Sequence, residues 1–117
     1  SFAEAFHAGD RGAPGAQRAL LDVIADRGQS GMARASALAR LPRYLSPSTL
    51  PAAVAALDDA DPNVRMAAVQ ALAAAEPAVR LRHLPRMLAD PVRVVRMDAA
   101  RALAGEPEQR LASADRA

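Results

Sequence analysis

The sequence contains no cysteine, no lysine and no tryptophan, and its aromatic residues are few: Phe2, Phe6 and Tyr44. The lack of cysteine excludes disulfides, cysteine-ligated zinc and c-type haem attachment within these residues. No apolar run approaches the roughly 20 residues that a membrane-spanning helix needs. These absences leave the cellular compartment open, and they require any hydrophobic core to be built from aliphatic side chains.

The residue patterns of catalytic and cofactor sites are also absent. His7 and His83 are far apart in the chain, the serines fall in turns and helix caps, and no glycine-rich phosphate loop is present. The acidic cluster at Asp58, Asp59 and Asp61 is typical of a turn followed by a helix cap. We therefore expect no catalytic residues, no metal ligands and no cofactor.

Alanine dominates what is present, and it favours helices more than any other residue does. A chain of 117 residues is the length of one domain, with room for a modest core. Because the side chains are small, such a core requires helices that approach one another closely. The composition predicts an all-α fold.

The net charge of +2 is unevenly distributed. Residues 46–79 carry four acidic residues and one arginine, whereas residues 80–105 carry six arginines and two aspartates. A dipolar molecule is therefore expected, with an arginine-rich last part that provides a candidate nucleic-acid surface.

An internal repeat organises the chain. Three residue types return at one constant interval: Arg34, Arg65 and Arg96; Ala37, Ala68 and Ala99; Leu41, Leu72 and Leu103. A period of about 31 residues predicts pairs of helices that bury their apolar faces by stacking on the next pair. Three pairs are about the minimum for stability.

Local signals place the helices within this repeat. The apolar spacing predicts a first helix over residues 16–26, with Ser30 as the cap of the second helix and Ser48 as the cap of the third. Pro85 lies inside the next predicted helix, where we expect a kink or a late start. Leu88 is expected to point inward.

The residues Leu50-Pro51, Leu57, Asp59, Asp61-Pro62, Val64-Arg65, Ala68 and Leu72 together resemble a HEAT repeat, in its short bacterial form akin to the bilin-lyase repeats. The third copy repeats most of the pattern, whereas the first has Gly28 in place of the aspartate. The resemblance implies a right-handed α-solenoid of about three antiparallel helix pairs. We expect one domain over 1–117, with repeats at about 14–45, 46–76 and 77–105 and caps or linkers at 1–13 and 106–117.

The resemblance also implies roles for two sets of residues. Turn and ladder residues that tie helix pairs together are expected at Asp59, Arg65, Asp90, Arg96 and Arg34. The second helices of such repeats line the inner wall, where the expected partner surface consists of Met66, Gln70, Met97, Asp98 and Arg101. The implied function is a non-catalytic scaffold that binds a protein partner or a neighbouring domain.

Two other functions remain open at this stage: nucleic-acid binding through the arginine-rich third repeat, and a lyase by analogy with the bilin-lyase repeats. The chain also resembles the HEAT-like region that follows a multihaem cytochrome domain in some bacterial proteins. Together with a start that lacks methionine, this predicts a segment of a larger bacterial protein. Its location would be periplasmic with such a parent and cytoplasmic otherwise.

Overall fold

A computed structural model describes residues 15–104 of the chain. The predicted caps at 1–13 and 106–117, with Phe2, Phe6 and His7, lie outside this range. The described part forms six α-helices and two short 3₁₀ segments and contains no strand. The α-helices are α1 (Ala16–Ala25), α2 (Gly31–Arg40), α3 (Leu50–Ala56), α4 (Pro62–Leu72), α5 (Pro77–His83) and α6 (Arg93–Leu103).

The second helices of the first two pairs begin at polar caps. The Ser30 hydroxyl accepts a hydrogen bond from the Ala33 amide at 3.0 Å, which confirms Ser30 as the cap of α2. Asp61 caps α4 by accepting from the Asn63 amide at 2.8 Å. These bonds satisfy amides that have no partner within the helix.

The prediction for Ser48 was wrong, because α3 begins after Thr49 and that cap position makes no side-chain cap bond. Thr49 is fully buried, and its hydroxyl instead holds the preceding turn together. It donates to the Tyr44 carbonyl at 2.7 Å and accepts from the Ser46 amide at 2.8 Å. The turn residue that matters is therefore one position later than expected.

Pro85 disrupts the helix as expected, but by ending it rather than by the predicted kink or late start. Helix α5 ends at His83, and the 3₁₀ segment Pro85–Ala89 continues the chain. Proline lacks an amide hydrogen and clashes with the preceding turn, so an α-helix does not run through it undisturbed. The first helix of the last pair is consequently short, and the 3₁₀ segment supplies its main packing against α6.

The core is aliphatic and thin. Fully buried leucines from all three pairs form one cluster: Leu20, Leu38, Leu41, Leu57, Leu72 and Leu84. Alanines at the helix crossings, such as Ala37, Ala68 and Ala99, are completely buried and allow the helices to approach closely. Leu88 was wrongly predicted to point inward, since it is 44% exposed at the last pair.

The second helices form a continuous layer. Helix α4 lies between α2 and α6 and packs against both, while α1 and α3 pack against the second helices of their own pairs. Each pair therefore covers the apolar face of the next. This all-helical stack is a solenoid, as the repeat predicted.

Candidate protein-interaction surface

Arginine and aspartate side chains link successive helix pairs on one edge of the stack. Arg34 of α2 donates from Nη2 to Asp59 Oδ1 at 2.7 Å and from Nε to the Ile24 carbonyl at 2.9 Å. Both charged side chains are nearly buried, at 10% and 5% exposure. One arginine thus joins the end of α1, the start of α2 and the turn of the second pair.

Arg65 makes the equivalent connection one repeat later. Its Nε and Nη2 donate to the two carboxylate oxygens of Asp90 at 2.8 and 3.2 Å. Its Nη1 donates to the carbonyls of Asp59 and Ala60 in its own turn. A planar guanidinium suits this paired geometry, because it presents several donors in a fixed arrangement.

The two aspartates carry shifted pKa values. Burial by itself raises the pKa of Asp59, but hydrogen bonds from Arg34 and from the Asp61 amide outweigh it, and the pKa lies below its ordinary value. Burial likewise opposes ionisation of Asp90, and the bonds from Arg65 and the Val92 amide again lower the pKa. Both carboxylates are therefore held ionised as parts of the stack.

A second face of the molecule is formed by the outer residues of α2, α4 and α6, which we call the second-helix wall. Between α2 and α4 the wall contains an open depression of about 310 Å³. Its lining is Met32, Ala35, Ser36, Ala39, Asn63, Met66, Ala67 and Gln70. Three alanines and two methionines are among these eight residues, so the depression is mainly apolar.

A second depression of about 330 Å³ lies between α4 and α6. Its lining is Gln70, Ala73, Asp98, Arg101 and Ala102. Gln70 borders both depressions, so they adjoin along α4. The wall therefore changes from an apolar half beside α2 to a polar half beside α6.

The polar half is held by hydrogen bonds between repeats. Gln70 Nε2 donates to Asp98 Oδ2 at 2.9 Å, and Arg101 Nη1 donates to Asp98 Oδ1 at 3.0 Å. Asp98 was expected on the partner surface, but it is only 8% exposed. The expectation is wrong in this respect, because both of its oxygens are engaged and Gln70 and Arg101 are the exposed members.

Large apolar side chains are exposed along the wall. Met32 at the start of α2 is 78% exposed, and Val94 and Met97 on α6 are 46% and 48% exposed. Met66 is half-buried in the floor of the first depression. Flexible methionines adapt to differently shaped apolar partners.

Two cross-repeat contacts had no clear sequence signal. One is the bond between Gln70 and Asp98, and the other is the exposed ion pair between Arg86 and Asp58 at 2.7 Å. The repeat offered a hint for the first, since Asp98 stands one repeat period after the buried Ala67. A residue at that position is expected to be covered.

Most arginines of the third repeat are engaged within the molecule. Arg80 donates to the Ala75 carbonyl and Arg86 to Asp58, while Arg96 donates to the Asp90 and Pro91 carbonyls. Arg101, as described above, pairs with Asp98. The arginine-rich stretch is thus largely a set of structural contacts.

Groups suited to chemistry are sparse in the described part of the chain. His83 is half-buried; its burial and the neighbouring Arg82 and Arg86 lower its pKa. Within residues 15–104, no cluster of histidine and acidic side chains is arranged to hold a metal ion.

None of the described helices is long and apolar enough to cross a membrane.

Stacked helix pairs, carboxylate and guanidinium links between repeats and an open wall of second helices define the class: this is an α-solenoid repeat protein. The sequence model of the family described as HEAT repeats matches residues 18–104. The chain therefore belongs to the HEAT-repeat family. A comparison with curated proteins found no match.

Family membership carries a general functional expectation. HEAT repeats commonly serve as scaffolds for protein interaction, and the family is generally non-catalytic. In such a scaffold, the side chains that can contact a partner are those that remain exposed and are not used in contacts between repeats.

Proposed function

We propose that this chain is a non-catalytic module that binds a polypeptide partner along the second-helix wall. The observation that carries the proposal is the pair of adjoining depressions that share Gln70. Exposed Met32 lines the first depression, and Met97 is exposed on α6, which borders the second, whereas the charged residues of the edge are occupied with one another.

The two halves of the wall fit different parts of such a partner. Apolar side chains suit the depression beside α2, where Met66 can adjust to their shape. Amide or carbonyl groups suit the exposed donors of Gln70 and Arg101 beside α6. A polypeptide provides both kinds of group along one surface.

Site-specific photo-crosslinking in the source cells tests this proposal. A photoreactive residue at Gln70 or Met97 should capture the same polypeptide, and a control at Ala55, exposed on α3, should not. Met97→Glu should abolish capture from Gln70 while the thermal midpoint of unfolding stays within about 2 °C of wild type, since about half of this side chain is in solvent. Equal capture from Ala55, or adducts that survive Met97→Glu, would contradict the proposal.

Nucleic-acid binding through the third repeat has weaker support. Four of the six arginines between residues 80 and 101 make contacts within the molecule, and an electrostatic surface requires free cations along one face. Recovery of nucleic acid in the Gln70 adducts, with an affinity that falls steeply as salt rises, would favour this alternative over protein binding. A lyase function has no observation in its favour among the described residues.

We further propose that residues 1–117 form one domain with the repeat boundaries expected from the sequence, so that unfolding by urea follows a single transition. The parent protein, whether related to bilin lyases or to multihaem cytochromes, is a separate hypothesis. It is tested by the sequence of the surrounding gene, above all by a Cys-x-x-Cys-His motif upstream.

A further inference from the structure

The last helix pair exposes residues whose counterparts one repeat earlier are buried. Leu57 is 1% exposed, whereas Leu88, one repeat period later, is 44% exposed. Val69 of α4 is completely buried, whereas the corresponding Ala100 of α6 lies on the surface. The side of α6 that faces away from α4 therefore has the position of an interface between repeats, but no other helix pair within residues 15–104 covers it.

Arg96 lies at the edge of this same side. Arg34 and Arg65 each pair with an aspartate at the same distance further along the chain, Asp59 and Asp90. Arg96 holds its own turn through Nη1, as Arg65 does, yet no carboxylate within residues 15–104 forms an ion pair with it. Its turn contacts match those of Arg65, whose Nε and Nη2 reach the next repeat.

We propose that this surface, formed by Leu88, Arg96 and Ala100 and called here the end face, docks a further helix pair. The partner carries an aspartate two residues before the cap of its second helix, as Asp59 precedes Asp61 and Asp90 precedes Val92. Its carboxylate pairs with Arg96, and its apolar face covers Leu88 and Ala100. The end face is distinct from the two depressions of the second-helix wall.

A second copy of this chain fits the end face poorly. The first pair has Gly28 two residues before its cap Ser30, so a copy stacked in register would bring no carboxylate to Arg96 at that position. Burying an unpaired guanidinium is costly. The occupant is therefore a different helix pair with an acidic turn.

A synthetic peptide of residues 46–76 provides a probe, because it carries the required turn at Asp59. It is titrated against the full chain by NMR, with an Asp59→Asn peptide as the matched control. We expect shift changes around Leu88 and Ala100, at least tenfold weaker binding of the control peptide, and loss of binding in the Leu88→Glu chain. Binding of equal strength by the Asp59→Asn peptide overturns the proposal, and so does the absence of peptide binding together with an unchanged urea midpoint in the extended chain described next.

A second experiment does not depend on a peptide that folds alone. A copy of residues 74–104 is inserted after residue 104, which places the copied aspartate as far from Arg96 along the chain as Asp90 is from Arg65. The urea midpoint of unfolding should be higher in the extended chain than in the original one. Arg96→Gln should lower this midpoint more in the extended chain than in the original one. An equal effect of Arg96→Gln in both chains contradicts the proposal, as does self-association of the original chain that is lost in Arg96→Gln.

Discussion

Arg65 binds Asp90 through two nitrogen atoms, at 2.8 and 3.2 Å, across the boundary between the second and third helix pairs. The two side chains are 13% and 5% exposed, so water screens them little. The same arginine holds the Asp59 carbonyl in its own turn. A single side chain thus fixes both the shape of one turn and the stacking of the next pair.

The lowered pKa values of Asp59 and Asp90 predict a loss of stability in acid. A carboxylate whose pKa is lower in the folded state stabilises the fold above its unfolded pKa, near 3.8, and this contribution is lost as the pH falls through the folded value. The free energy of unfolding should therefore decrease below about pH 4. Urea titrations from near-neutral pH down into strong acid measure it.

Two variants distinguish the contribution of these aspartates from a general destabilisation by acid. Asp90→Asn should weaken the pH dependence, because the variant has lost one of the titrating groups. Leu57→Ala, which removes no titrating group, should lower the free energy of unfolding by a similar amount at each pH. An unchanged pH dependence in Asp90→Asn would contradict this assignment.

Leu57 and Leu88 occupy the same repeat position in different surroundings, which allows a matched comparison. Leu57→Ala should cost about 2–4 kcal/mol in unfolding free energy, because the residue is fully buried and leaves a cavity. Leu88→Ala should cost less than about 1 kcal/mol, because that residue is 44% exposed. Chemical denaturation measures both, and similar losses would show that Leu88 is covered in solution.

Gly31 lies where the first repeat contacts the Asp61 cap of the second. A Cβ atom added at this position would overlap the carboxylate of Asp61, which caps α4. Gly31→Ala should therefore displace that cap and cost about 1 kcal/mol, as cap losses do. Gly15→Ala is the control, since the space around Gly15 is open and the change should stay within about 0.5 kcal/mol.

The cause of the Gly31 effect can be checked in a second background. In an Asp61→Ala chain the overlap is gone, and Gly31→Ala should become neutral or slightly stabilising because alanine favours the helix. Thermal unfolding of the four chains supplies the comparison. A loss of the same size in both backgrounds would rule out the contact with Asp61 as its source.

The sequence predicted the repeated elements better than their ends. The constant repeat period located the buried alanines and leucines, because each helix pair packs against its neighbour through the same repeat positions. Leu88 departed from the pattern because the repeat position predicts burial only where another pair follows. Ser48 was misassigned because a cap depends on backbone geometry, which places the start of α3 after Thr49. The Thr49 hydroxyl forms hydrogen bonds within the preceding turn and does not cap the helix.

The candidate site was predictable in position but not in detail. Helical spacing placed Met66, Gln70 and Met97 on one wall, because the second helices share a register. It did not show that Gln70 and Arg101 both bind Asp98 and so leave that carboxylate buried. Such contacts depend on the offset between neighbouring helices, which periodicity does not specify.

The central claim is that the arginine and aspartate columns hold the repeats together and leave binding to the second-helix wall. A double-mutant cycle with Arg65→Met and Asp90→Asn, measured by urea unfolding, tests it most directly. The buried pair should show a coupling energy above about 1 kcal/mol. The exposed pair Arg86 and Asp58, at 46% and 70% exposure, is the control and should show less than about 0.5 kcal/mol. Additive effects at Arg65 and Asp90, with no more coupling than in the control, would contradict the account.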